Sequence, residues 1–249
     1  MYREHSVLKT ANDDWPIWKY MSLSKFINLL NGELYFNRVD SFEDVFEGSW
    51  PELNKKYNEY MKEKGEICFD NLDMFAKKMV YVSCFHKSRY ETTFMWKQYA
   101  CDDGIAIKTS FDRLKQAFAV SDEAVYIGDV NYIDYETEYI KYVGNVFQLA
   151  MHKRKSFEFE NEIRCIVMFN LNDKKGKRQK EYMLRDDHER VDFDKLPMGV
   201  KIPIDLSALI DKIYISPYAA TYLEEDVELL VKKFNLNVDV VRSNLFSIN

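Results

Sequence analysis

The segment from Lys212 to Arg242 constrains the fold most. Lys212-Ile213-Tyr214-Ile215-Ser216 has the alternation of a strand, residues 219–234 carry a helical pattern, and residues 238–242 return to a β-branched run. A strand, a helix and a strand joined this closely pair in parallel through a right-handed crossover. The rest of the chain must then supply a sheet for that pair to join, which excludes a helical bundle. Upstream, strand and helix periods alternate without a linker or an internal repeat. The expected fold class is therefore α+β: one domain over residues 1–249, with a mixed twisted sheet flanked by helices and a C-terminal right-handed βαβ unit.

Further elements follow from local chemistry. Residues 22–31 form a short helix with a serine at either N-cap and Gly32 at the C′ position, leading into a strand over 33–37. Residues 54–64 and 71–78 read as surface helices, and Met79–Phe85 as a buried strand rich in β-branched and aromatic residues. A helix near 92–100 precedes a strand at 104–109 and a helix from Ser110. Residues 124–133 read as one strand and 136–152 as one long helix. Residues 171–199, carrying Lys174, Lys175, Lys177, Arg178 and Lys180, read as a long mobile loop between two strands.

Composition removes several function classes. Hydrophobic residues are 47% of the chain, and 41 acidic against 35 basic side chains leave a net charge of −6. The first fits a packed core; the second gives no chain-wide basic surface for nucleic acid. Residues 151–180 still hold nine basic against four acidic side chains, either a solvated loop or an anion-binding arm. No apolar run approaches the roughly 18 residues of a membrane span. The first residues lack the apolar core of a secretory signal, so a cytoplasmic location is expected. Cys68, Cys84, Cys101 and Cys165, like His5, His86, His152 and His188, are scattered without metal-ligand spacing, and no metal is expected. No phosphate-binding glycine loop or nucleophile elbow occurs.

Three clusters are dense in polar and aromatic side chains: residues 18–21 with 37–48, residues 94–100, and residues 153–167. In the third, a strand would place Glu158, Glu160, Glu162 and Arg164 on one face. Crowded carboxylates raise a pKa, which suits an acid or base, while the arginine keeps another ionised. The same run also fits an edge strand with a solvated charged face. Trp96 and Tyr99, at i,i+3, fit either core packing or a stacking platform, and Asp44 and Glu47 fit a turn beside Arg38. If one site draws on all three clusters, Tyr20, Arg38, Glu47, Trp96, Lys155 and Glu160 or Glu162 should border one concavity.

The stretches WKYMSLSKFINLLNGELYFNRVDSFEDVFEGSW, VSCFHKSRYETTFMWKQYACDDGIAIKTS, VYIGDVNYIDY, KRKSFEFENEIRCIV, LIDKIYISPYAATYLEEDV and VVRSNL resemble, in this order, the bacterial and phage family of domain of unknown function 2971. The resemblance runs from residue 17 to residue 245. It departs at Val45, where members usually carry proline in an Asp-Pro-Phe-Glu turn, so a looser turn is implied here. That family name carries no activity.

At the level of topology the chain is also similar to ADP-ribosyltransferases. A polar residue on an early strand, a helix, a second strand and a late glutamate carry the resemblance, although an early histidine and a Ser-Thr-Ser motif are missing. The resemblance implies an NAD-using enzyme of a defence or toxin setting. Lys19, Tyr20, Arg38, Glu47, Trp96 and Tyr99 would bind the dinucleotide, with Trp96 or Tyr99 stacking on nicotinamide. Glu160, Glu162, Arg164 and Lys155 would be catalytic, a carboxylate orienting the ribose hydroxyl and stabilising oxocarbenium character. Two alternatives stay open. A metal-dependent nuclease would use Asp44, Glu47, Glu160 and Glu162 for magnesium, with Lys155 or Arg164 near phosphate. A non-catalytic binding module would turn over nothing. The partner expected is a small nucleotide, with a protein or nucleic-acid target open and no membrane.

Overall fold

The computed structural model describes residues 1–10, 12–66, 71–100, 102–141, 145–172, 176–184 and 190–246. In chain order, β1 (Pro16–Ser22), α1 (Leu23–Leu29) and β2 (Glu33–Arg38) are followed by α2 (Glu52–Glu63), α3 (Leu72–Met79) and β3 (Val80–Lys87). Next come α4 (Thr93–Met95), continuing as a π-helical turn over Trp96–Ala100, then β4 (Gly104–Ser110) and α5 (Phe111–Ala117). Strands β5 (Tyr126–Asp129) and β6 (Asn131–Ile133), helix α6 (Phe147–Ala150) and β7 (His152–Arg154) precede a 3-10 turn over Lys155–Glu160 and β8 (Glu162–Met168). The chain ends in β9 (Gly199–Pro203), α7 (Leu206–Leu209), β10 (Lys212–Ile215), α8 (Tyr222–Lys233) and β11 (Asp239–Arg242).

Nine strands make one mixed sheet among the described residues, ordered β11-β10-β4-β1-β3-β2-β9, with β8 joined to both β3 and β5. The β10–β11 pair is parallel from Lys212↔Asp239 to Ile215↔Arg242, as the βαβ pattern requires. Leu223, Val227 and Val231, on one face of α8, are buried against the main core beside Ile213 and Ile215.

The strand at the centre of the sheet has divided allegiances. Along one edge β3 pairs with β8 over its whole length, from Val80↔Met168 to His86↔Glu162. Along the other edge it meets β1 only at Ile17↔Lys87 and Trp18↔His86, and β2 only at Asn37↔Val82 and Arg38↔Tyr81. Between these two short pairings β1 and β2 part, and a gap opens beside Ser83, Cys84 and Phe85. Lys19 bridges it: its Nζ donates to the Cys84 carbonyl at 2.9 Å and to the Ser83 hydroxyl at 3.0 Å. A side-chain ammonium thus replaces the ladder bond that the diverging strand cannot make.

Two expectations need correction. Residues 136–152 do not form one helix; α6 is short and begins at Phe147. Side chains capture the backbone donors upstream: Asp134 Oδ1 accepts from the Glu136 amide at 2.8 Å, and Asn54 Oδ1 from the Ile140 amide at 2.8 Å. Residues 142–144 lie outside the described residues. The strand over 124–133 is two strands, broken at Val130, whose amide donates to the Glu162 carbonyl. The segment 171–199 connects β8 to β9, with 3-10 turns at Lys180–Tyr182 and Phe193–Lys195, while residues 173–175 and 185–189 lie outside the described residues.

Candidate functional site

The gap between β1, β2 and β3 opens into a cleft of about 560 Å³. Its walls carry Trp18, Lys19 and Tyr20 from β1, Tyr35 and Asn37 from β2, and Cys84 and His86 from β3, with Phe42, Tyr99, Lys153 and Glu162 beyond them. The volume falls in the range of small-molecule sites, and aromatic walls with a few convergent charges are what such sites contain.

Behind Glu162 lies a buried charge cluster. Strand parity places Ile163, Cys165 and Val167 in the main core, so Glu162 and Arg164 project from the other face, that of Ile166. Arg164, fully buried, donates through Nε to Glu162 Oε2 at 2.7 Å and through Nη1 to the Ala150 carbonyl at 2.6 Å. Its Nη2 makes an ion pair with Glu47 Oε2 at 2.7 Å without hydrogen-bond alignment. Lys153, the inward residue of β7, meets Glu162 Oε1 at 3.1 Å, Glu47 Oε1 at 3.3 Å and Glu160 Oε2. Three carboxylates therefore share two cations. Such a cluster is costly to bury and demands complete pairing.

The shortage of positive charge falls unequally. Burial raises the Glu162 carboxyl, but Arg164 and Lys153 outweigh it and hold the group below the ordinary range. Burial and then the hydrogen bond and charge of Glu162 push Glu160 up to about 7, against the pull of Lys153. Burial lowers Lys153, and the three carboxylates more than restore it. Tyr99 donates to Glu160 Oε1 at 2.7 Å, and burial followed by that bond keeps its phenol protonated. The result at neutral pH is one fixed anion facing the cleft, Glu162, and one carboxyl behind it poised near neutrality.

The backbone explains why Glu160 joins this group although it lies outside β8. Residues 155–160 wind as a 3-10 turn, and Asn161 adopts a left-handed conformation with φ 39° before the strand starts. The expected four-residue charged face over 158–164 therefore does not exist. Glu158 is exposed, whereas Glu160 turns inward.

The sequence-predicted residues separate into three groups. Lys19, Tyr20, Tyr99 and Glu162 line the cleft, and Glu47, Glu160 and Arg164 form the buried layer in contact with Glu162 or Lys153. The remaining three lie elsewhere. Lys155 is exposed and pairs with Glu138 at 2.6 Å, because it leads the 3-10 turn outward. Lys153, two residues earlier, holds the inward position. Arg38 is buried at the end of β2, bound to Asp40 at 2.6 Å and to the Leu196 carbonyl at 2.8 Å. Trp96 is a core residue, edge-on to Tyr20, with its indole N–H on Glu91 at 2.9 Å. The π-helical turn separates it from Tyr99, since an i→i+5 turn rotates each residue less than an α-helix does. Trp18, Phe42 and Lys153 lie within the three clusters but carried no assigned role in the sequence, and His86 lies outside them. The central position of a three-residue strand was the available signal for Lys153.

The carboxylates proposed for magnesium do not form an open ligand set. Asp44 is bound by Arg154 at 2.9 and 3.0 Å, and Glu47, Glu160 and Glu162 are occupied by Lys153 and Arg164. Among the described residues no group of histidine, cysteine and carboxylate side chains has the arrangement of a metal site. No helix of the described residues is long and apolar enough to cross a membrane.

No family model matches the chain, and no curated protein matches it in sequence. Among solved structures it is similar to Thermus sp. 2.9 DarT in complex with ADP-ribosylated ssDNA, at 10% identity and TM-score 0.38, covering 95% of this chain and 97% of that one. The same protein in complex with NAD+ matches at 10% identity and TM-score 0.35, covering 94% and 98%. Likeness at this level assigns no activity, and the residues of the cleft have to carry the functional reading.

Proposed function

We propose that this chain is an NAD-using, ADP-ribosyltransferase-like enzyme, related to the family of domain of unknown function 2971, with the split-sheet cleft as its active site. The observation that carries this reading is the placement of Glu162. It is a single carboxylate, held ionised by Arg164 and Lys153, on the wall of a cleft lined by Trp18, Tyr20, Tyr35 and Tyr99. The residues fit a dinucleotide: aromatic rings for planar bases, and Lys19, Lys25 and Lys201 for the pyrophosphate. NAD+ supplies the labile bond between nicotinamide and ribose. Glu162 stabilises the positive charge that develops beside it, and its fixed partners mean that it need not reorganise to do so. Burial lowers the Lys19 ammonium's pKa, and its protein hydrogen bonds go to neutral acceptors, so an anionic ligand adds a direct counter-charge to the more distant pull of Glu162.

The test is thermal unfolding with NAD+ together with release of nicotinamide. Saturating NAD+ should stabilise the chain by about 2–3 kcal/mol at a hundredfold excess over Kd. Glu162→Gln should keep binding and lose at least about a hundredfold in turnover. Absence of any thermal shift at millimolar NAD+, or magnesium-dependent cleavage of DNA or RNA, would sink the proposal.

A further inference from the structure

One polar group on the cleft wall is not used by this chemistry. His86 is the Cα partner of Glu162 across β3 and β8, so the two side chains leave the sheet on the same face. It is 4% exposed, lines the cleft, and lies next to Trp18 in the β1 register, with its ring 6.2 Å from that of Tyr20. Its Nδ1 is 2.5 Å from the Glu160 carbonyl. A carbonyl only accepts, so Nδ1 carries a proton. Burial lowers the pKa of the imidazole, more than the Glu160 carbonyl and the Glu162 charge raise it, so the ring is neutral. With Nδ1 protonated, Nε2 is a bare lone pair. It is buried and has no hydrogen-bond partner among the described residues. A buried acceptor left without a donor is unfavourable, and such groups persist in folded proteins where function completes them.

We propose that His86 Nε2 is the cleft's built-in hydrogen-bond acceptor, and that it selects a planar ring bearing an amide N–H over the same ring bearing a carboxylate. Trp18 and Tyr20 supply the aromatic surroundings for such a ring. This rests on the NAD+ reading for the identity of the ring, which is nicotinamide with its carboxamide toward His86. Nicotinate would set a negative charge against the lone pair and against Glu162 one strand away. His86 is then a specificity residue, distinct from the charge-stabilising role of Glu162.

The experiment is nitrogen-15 NMR of the full chain, which reads the protonation of each imidazole nitrogen, followed by titration with nicotinamide, nicotinate and NAD+. In the free protein at pH 7, His86 should show a protonated Nδ1 and a bare Nε2; the opposite tautomer or an imidazolium overturns the proposal. Nicotinamide and NAD+ should move the Nε2 resonance, and nicotinate should not. His86→Phe should bind NAD+ about tenfold more weakly, and His86→Gln, which restores an acceptor, should recover part of that loss. If a folded His86→Phe binds NAD+ as tightly as the natural chain, the His86 proposal falls and the NAD+ reading stands. If NAD+ fails to bind but nicotinamide moves Nε2, the NAD+ reading falls and the acceptor remains. If no donor moves Nε2, the acceptor role is wrong.

Discussion

Glu160 and Glu162 are separated by one residue and have opposite relations to stability. The folded chain raises Glu160 to about 7, so its contribution is fully present below the ordinary carboxyl range and is lost as pH rises through about 7. Glu162 is lowered, so its contribution is present above that range and is lost as pH falls. Glu160→Gln should therefore be the more stable protein at pH 8, by about 1–3 kcal/mol, with the gain shrinking toward pH 5. Glu162→Gln should cost about 3–5 kcal/mol at pH 8, because Arg164 stays buried with only Glu47 opposite it. Urea unfolding at the two pH values checks both; equal effects for the two variants would contradict the division of labour between them. The fully buried guanidinium of Arg164 beneath it is what couples this substitution to the fold.

Among the elements, those specified by local chemistry were legible and those specified by tertiary partners were not. Strand β3 announced itself by its β-branched run, α1 by Gly32 at φ 78°, and the C-terminal unit by its changing period. The missing long helix at 136–152 depends on Asn54, more than eighty residues upstream, taking the Ile140 amide. The inward turn of Glu160 depends on Asn161, which spans to β3 through the Lys87 carbonyl at 2.5 Å. No hydropathy period encodes either contact. For the site, the sequence chose Lys155 over Lys153; two residues apart on one strand they would share a face, and the 3-10 turn that starts at Lys155 is what carries it outward. The turn that carries Tyr99 has its own local dependence: a Cβ on Gly104 would fall on the carbonyl and methyl of Ala100. Gly104→Ala should push this turn off β4, cost at least about 1–3 kcal/mol, and weaken the Tyr99–Glu160 bond. A Tyr99 ring NMR signal that stays unchanged in that variant would show that the turn is held by something else.

At the scale of the molecule, β3 joins the two wings of the sheet, since β1, β2 and β8 all pair with it. Heating should therefore give one cooperative transition with equal calorimetric and van't Hoff enthalpies. Two resolved transitions would mean that the wings are independent. The strand order also has a consequence for synthesis. Strand β2 receives its outer neighbour only from β9, in pairs from Glu33↔Pro203 to Asn37↔Gly199, and Glu33 and Lys201, 3.3 Å apart across this seam, both line the cleft. A ribosome makes β2 early and β9 late, so the nascent chain carries β2 with a bare edge until residue 203 has emerged, a surface open to chaperones and to other nascent chains alike. The cleft is consequently among the last parts of this protein to exist, and a chain released before that point lacks the wall that β9 supplies.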